Sequence, residues 1–280
     1  YRRVPVLVNE EKGEAGNPWG VSFLRMFDMA GDSHLFRTRE EMEAAGFMLD
    51  GNRFVKGDEV WLPLYEGKMI WQYDHRYGSF HEVENHSSAQ LPTTVSENYS
   101  NANYQITPWY WVLSSEVETR CTGVKKWTFA YRGVTNATNA RTIILSLIPC
   151  YAVNHNTPCV FFNEETFKQL LAYSDLNSLI FDFISRNKYN STFMSFFILK
   201  QLPVLPPSAY TPTLTNFIAP RVIELTYTAW DLEPFARDVL AEVGVAQWNA
   251  WFPANPVGDD GTPRPFVWDE ERRFDLRCDL

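Results

Sequence analysis

The sequence predicts an α+β (mixed α/β) fold, a sheet with packed helices followed by a helical C-terminal segment. Two observations predict it. Short apolar, β-branched runs bounded by turn residues fill much of the chain up to Asn163. Strands are then followed by helices rather than alternating strictly with them, and after Pro207 the pattern is helical. The 280 residues allow one large domain or two modest ones, and 45% hydrophobic with 15% aromatic residues supports a sizeable core. We divide the chain into residues 1–207 and a helical segment, 208–280. The first part comprises N-terminal strands with a short helix (1–62) and a core (63–207).

Taken in order, "VPVLV" (4–8) and "RFVKGDEVWLPL" (53–64) read as strands. Between them "TREEMEAAG" is a capping-box helix, with Thr38 as N-cap, Glu41 in its third position and Gly46 as stop. "GKMIWQYDHRYGSF" (67–80) reads as strand or hairpin. His81 to Ile106, rich in Ser, Asn and Thr, reads as a long exposed loop. "WYWVLSSEVETR", "WTFAYRGV", "RTIILSLIP" and "PCVFFN" resume strand character. Asn163 is placed to cap a helix carrying Phe167, Leu170 and Leu171 on one face. A second helix from Ser174, with Leu176, Leu179, Ile180, Phe183 and Ile184 at helical spacing, reads as the other half of a buried pair. "RVIELTYTAWDLEPFARDVLAEVG" is one or two amphipathic helices broken near Pro234. "WDEERRFDLRCDL" has the acidic first turn of a helix just beginning. The chain starts at Tyr1 inside a strand-like run and stops inside this helix, so we expect a piece of a longer protein.

A formal net charge of −9 argues against generic nucleic-acid binding, but the charge is uneven. No Asp or Glu occurs between Glu118 and Glu164, whereas Arg120, Lys125, Lys126, Arg132 and Arg141 do. Acid gathers after Glu224, in Asp231, Glu233, Asp238, Glu242, Asp259, Asp260, Asp269, Glu270 and Glu271. Cys121, Cys150, Cys159 and Cys278 lack CxxC pairing and read as reduced thiols of a cytoplasmic protein. Asn85, Asn98, Asn136 and Asn190 head glycosylation-like triplets, with no signal peptide to support a secreted reading. No apolar run is long enough to span a bilayer.

Most catalytic signatures are missing: there is no GxGxxG, P-loop, GxSxG or HExxH. The histidines at 34, 75, 81, 86 and 155 are too scattered to nominate a zinc site. In "LPLYEGKM", Glu66 and Lys68 stand two apart on an expected strand, facing one way. With Asp50 or Asp58 upstream, that arrangement suits a metal-dependent nuclease. "YDHRYGSF" offers His75 and Arg76 as donors to phosphate or guanine edges, flanked by Tyr73 and Tyr77. In "YRGVTNATNARTIILSLIP", Arg132 and Arg141 bracket Thr135, Asn136, Thr138 and Asn139. Carboxamides read adenine edges, arginine reads guanine, and hydroxyls and lysine hold phosphates. "SRNKYNSTF" repeats the chemistry with Arg186, Lys188, Asn190 and Thr192. Each stretch also has an ordinary structural use, as turn former, helix cap or surface ion pair.

Together, "LPLYEGKMIWQYDHRYGSF", "YRGVTNATNARTIILSLIP" and "FDFISRNKYNSTFMSFFILKQLPVLPP" resemble the C-terminal part of large DNA adenine methylases of restriction–modification and phage-defence systems. "NPWGVSFLRMFDMAGDSHLF" and "LTYTAWDLEPFARDV" fit the same pattern, and the "NSTFMSFFILKQLPVLPP" block resembles recognition domains of type I specificity subunits. The resemblance implies a target recognition domain for double-stranded DNA, with the sheet and packed helices of that class. It implies S-adenosylmethionine in an upstream methyltransferase domain of the same chain, and no cofactor or metal in this stretch. Such a piece supplies affinity and sequence choice but does not methylate alone. Two positions depart from the family: Asn190 and Ser191 replace an expected glycine, and Ala140 replaces an expected glutamate. The expected DNA contacts are Lys68, His75, Arg76, Arg132, Thr135, Asn136, Thr138, Asn139, Arg141, Arg186, Lys188, Asn190 and Thr192. The rival readings are the nuclease built on Glu66 and Lys68, and a protein-docking module for other defence subunits.

Overall fold

The computed structural model describes residues 4–121, 125–188 and 191–280. Strand β1 (Ser22–Leu24) precedes helix α1 (Arg39–Ala44) and strands β2 (Met48–Asp50), β3 (Arg53–Lys56) and β4 (Glu59–Tyr65). There follow α2 (Ser96–Ser100), β5 (Trp111–Leu113), α3 (Ser114–Arg120), β6 (Trp127–Tyr131), β7 (Leu145–Pro149), β8 (Ala152–Val153) and β9 (Cys159–Phe161). Helices close the chain: α4 (Thr166–Asn177), α5 (Leu179–Lys188), α6 (Phe196–Lys200), α7 (Pro212–Thr226), α8 (Glu233–Val243), α9 (Val245–Trp251) and α10 (Glu270–Asp279). The mixed α+β class and the helical C-terminal segment are as the sequence predicts.

One sheet has the order β1-β9-β6-β7, antiparallel throughout. The other runs β2-β3-β4-β5, antiparallel, with β8 added parallel to β4. The first sheet packs against α4, and α4 packs against α7 and α8. One apolar core therefore runs from Phe129 and Leu147 through Leu170 and Tyr173 to Val222, Phe235 and Trp248. A second core gathers Phe27, Leu64, Ile70, Val112 and Val153 around the other sheet.

Local signals placed several elements well. The Thr38 hydroxyl accepts from the Glu41 amide and the Glu41 carboxylate accepts from the Thr38 amide, a complete capping box. Gly46 follows at a φ of 79°, a left-handed stop natural to glycine. "RFVKGDEVWLPL" forms the β3–β4 hairpin. Asp269 caps α10 through the Arg272 amide.

Other expectations are corrected. "VPVLV" forms no regular strand; it lies along 200–204, where Leu7 and Val204 donate to Leu202 and Pro5 carbonyls. "GKMIWQYDHRYGSF" is a 3-10 turn and then a tight bridged turn from Trp71 to Asp74, with Tyr73 at a φ of 58°. The 81–106 loop is mostly exposed but carries α2, whose Tyr99 is buried. "WYWVLSSEVETR" turns from strand to helix at Ser114. Asn163 is not the cap of α4: the Glu242 carboxylate accepts from the Thr166 and Phe167 amides, lending charge to that N-terminus from α8. The expected second helix breaks at Ser178, and Leu179, Ile180 and Phe183 are 68%, 74% and 66% exposed rather than buried.

His75 and Arg76 are likewise withdrawn from the surface. Arg76 is fully buried, its Nη1 donating to Asn101 O (3.1 Å) and Tyr104 O (3.2 Å) and its Nη2 to Thr228 O (3.1 Å). His75 Nε2 meets Asp231 Oδ1 at 2.9 Å with both side chains buried. The adjoining Asp74 takes a hydrogen bond from the Tyr99 hydroxyl (2.6 Å). Arg273 of α10 reaches Tyr73 O (3.3 Å) and Leu225 O. Residues 73–76 thus clasp the helical segment to the sheets. Arg76→Ala should lose about 3 kcal/mol, because it empties a fully buried site and leaves the Tyr104 and Thr228 carbonyls without their donor. Arg76→Lys should recover little, since an ammonium lacks the planar fork; urea unfolding midpoints would measure both. Phe183→Gln, on the exposed face of α5, should stay within about 0.5 kcal/mol in the same assay.

Candidate nucleic-acid interface

Tyr131 ends β6, and the chain returns to β7 only at Leu145. The intervening loop is positioned by one carboxylate. Asp182 of α5 is 5% exposed; its Oδ1 accepts from the Thr142 (2.6 Å) and Ile143 (3.0 Å) amides. Its Oδ2 accepts from Arg186 Nη2 at 3.0 Å. The same Arg186 nitrogen donates to Asn139 O (2.9 Å) and Ala140 O (3.2 Å). Arg186 is therefore a strut that holds the loop from behind. Asn177 fixes the start of β7 by exchanging hydrogen bonds with the Leu145 backbone (3.1 and 3.0 Å).

Held this way, the loop forms one wall of a cavity of about 270 Å³. Lys68, Arg132, Asn139 and Arg141 all line it, four of the residues that sequence reasoning nominated from separate stretches. Trp71 and Tyr77 form another wall, stacked with centroids 5.0 Å apart and planes 26° apart. Gln90 adds a carboxamide, and no Asp or Glu lines the cavity among the described residues. Gly67 lets Arg132 pack closely: a Cβ there would approach the Arg132 Cγ to 3.0 Å.

The three cations differ in how far they are neutralised. Lys68 Nζ donates to His86 O (2.7 Å) and Ser88 O (2.9 Å), lies over the Phe80 ring and is 3.7 Å from Glu66. No hydrogen bond or ion pair to the Arg132 or Arg141 guanidinium is found among the described residues, and Arg141 Nη1 is buried without a partner. Desolvation pushes the Arg132 pKa down from its ordinary value, with Tyr77 opposing. A desolvated cation without a counter-charge favours any anion that enters. Elsewhere in the cationic middle, Lys125 meets Asp238 (3.8 Å) and Glu242 (3.9 Å), Arg120 pairs with Asp32 and Glu116, and Lys126 is exposed.

The remaining nominated residues separate clearly. Asn136 and Thr138 are exposed on the loop, where the Asn136 side chain accepts from the Thr138 amide (3.1 Å). Thr135 is buried, its hydroxyl donating to Thr142 O (2.9 Å), and so is corrected from contact to support. Thr192 is exposed beside the loop, its carbonyl accepting from the Thr135 amide. Lys188 is exposed with Nζ on Gln201 O (2.9 Å). Asn190 lies outside the described residues.

Sequence reasoning missed Trp71, Gln90 and Arg25. Arg25 is exposed and lies over the Phe193 and Phe196 rings (5.2 and 5.3 Å), next to the Val134–Phe193 bridge. Its only sequence signal is a lone cation inside the apolar run "FLRMF". The nuclease geometry is corrected too. β4 ends at Tyr65 and Lys68 sits in a 3-10 turn, so the two are not strand neighbours on one face. Glu66 is buried against His86 (2.7 Å), Asp50 pairs with Arg53, and Asp58 is exposed in the β3–β4 turn.

No protein-family model matches the chain, and no curated protein matches it.

Asp182→Ala should cost about 3 kcal/mol in urea unfolding, because it strands two buried amides and removes the carboxylate from Arg186. Hydrogen exchange should rise across 132–143 more than in α7 or α8. Asp182→Asn keeps acceptors for the amides and should lose less.

Proposed function

We propose that this chain is a double-stranded DNA recognition module. The observation that carries the reading is a cavity lined by no Asp or Glu, in which Arg132 and Arg141, without hydrogen-bond or ion-pair partners among the described residues, stand beside Lys68. In this reading the cavity seats backbone phosphate, which fixes position and supplies most of the affinity. The exposed Asn136, Thr138 and Asn139 then face base edges and contribute to sequence choice. Lys188, Thr192 and Arg25 extend the contact along the same side chain–loop neighbourhood. With the resemblance described above, the finer proposal is the target recognition part of a cytoplasmic DNA adenine-N6 methyltransferase of a restriction–modification or phage-defence system. S-adenosylmethionine would then bind an upstream domain of the same chain, outside these residues.

A second reading, docking of other defence-system subunits, draws on the exposed Leu179, Ile180 and Phe183 of α5. Pull-down with and without nuclease treatment separates it from DNA-mediated association.

Titration of a short duplex by fluorescence anisotropy at several salt concentrations tests the main reading. Affinity should fall steeply with salt. Arg132→Gln and Arg141→Gln should each weaken binding across sequences and reduce the log–log salt slope by about 1. Arg39→Gln, on α1, should leave both unchanged. A salt-insensitive constant, or wild-type affinity in both cavity variants, would sink the proposal.

A further inference from the structure

Two aromatic rings stand open in a stretch of chain that is otherwise closed. Within 71–80 every residue is buried except Trp71 and Tyr77. These two stack on one another and line the cavity of Arg132 and Arg141. Their backbones are fixed. The Trp71 and Asp74 amides each donate to the other's carbonyl (2.8 and 3.0 Å), which closes the turn leading into the buried 73–76 clasp. Tyr77 O accepts from the Thr94 amide (2.8 Å), and Pro92 O accepts from the Ser79 amide (3.2 Å). These bonds lay 92–94 beside 77–79 and bring Leu91 and the exposed Gln90 into the cavity wall. Gly78 permits the approach, since a Cβ there would come within 2.5 Å of Lys68 O and 3.3 Å of Leu91 Cβ.

An intact duplex has no use for such rings. Both faces of each paired base are covered by neighbouring bases, and the phosphates lie outermost. Guanidinium groups alone suffice for phosphate, whereas ring surface set beside them serves a base that has left the stack. The cavity, at about 270 Å³, has room for one nucleotide unit and none for a helix of two strands. Gln90 and Asn139 add carboxamides, which can both donate to and accept from a base edge.

We propose that this cavity holds a single unpaired nucleotide of a DNA strand, its phosphate at Arg132 and Arg141 and its base against the Trp71 and Tyr77 rings. The inference rests on the DNA reading above and names the form of DNA that the site takes. Unpairing and unstacking a base costs free energy in a fully paired duplex and little where the base is already extrahelical. The site therefore discriminates by pairing state. Any of the bases can occupy it, because every base has a π-face.

The test compares two fluorescein-labelled duplexes of one sequence, fully paired or with one extrahelical thymidine at the centre, by anisotropy at a single salt concentration. The bulged duplex should bind at least about fivefold tighter, the low end for one base stacked on an aromatic side chain. Trp71→Leu and Tyr77→Leu should each bring the ratio of the two affinities toward unity, whereas Arg39→Gln keeps it. With 5-iodouracil in place of the bulged thymine, irradiation should crosslink the DNA to Trp71 or Tyr77 in peptide maps of the unaltered chain. That arm stands even where a ring variant fails to fold. Equal affinities for the two duplexes, a preference that survives in both folded ring variants, or a crosslink confined to other residues would overturn the inference. Salt-dependent binding of the paired duplex alongside any of these leaves the broader DNA reading in place, and no binding of either duplex overturns both.

Discussion

The candidate interface depends on the buried carboxylate of Asp182. It ties together three things that would otherwise be independent: the entry to β7 through Thr142 and Ile143, the first turn of α5, and the Arg186 strut. The tip of the loop between β6 and β7 has little apolar surface of its own to hold it, since Asn136, Thr138, Asn139 and Ala140 are exposed and only its end, Ile143 and Ile144, is buried. The tip is held by polar bonds to α5, and α5 is in turn anchored to the core chiefly through Phe181. A single Arg186 nitrogen, Nη2, faces two successive carbonyls and the carboxylate at once.

The distribution of charge follows from similar reasoning. The acidic C-terminal stretch does not form one repelling surface, because its members are spent in particular contacts. Asp231 holds His75, Glu242 caps α4, Glu224 pairs with Arg272, and Asp260 pairs with Arg264. Lys125 takes up part of this acid, and Arg120 is satisfied locally. What remains of the cationic middle is exposed Lys126, at a different cavity, and the pair Arg132 and Arg141. A mean charge of −9 is thus compatible with a cavity from which every carboxylate is absent among the described residues.

Legibility in the sequence tracked the distance over which each decision is made. The Thr38 capping box, the strand character of 53–64 and the acidic first turn of α10 are settled within a few residues, and each was readable. The fate of Arg76 is settled by Thr228 and that of His75 by Asp231, both some 150 positions on, and no local pattern announces them. "YDHRYGSF" carries the chemistry of a DNA-contacting motif while performing the work of an internal clasp. The cap of α4 was misread for the same reason: Asn163 has the right residue type, but a carboxylate from α8 takes the position. For α5, periodicity revealed an apolar face correctly and burial incorrectly, because periodicity states which residues share a side and not what covers it. Lys68, Arg132, Asn139 and Arg141 were legible as residue types, and their convergence was not.

That convergence matters because it works against stability. Two nitrogens each of the Arg76 and Arg273 guanidinium groups find oxygen acceptors, with the Nε of each left unpartnered. The Arg132 and Arg141 guanidinium groups have no hydrogen-bond or ion-pair partner among the described residues, and Arg141 Nη1 is buried. Ala140, between Asn139 and Arg141 in the cavity wall, brings no charge to it. The cavity is thus cationic on one wall and aromatic on another, where Trp71 stacks on Tyr77, and it is this pairing of charge with ring surface that the proposed polyanionic ligand draws on.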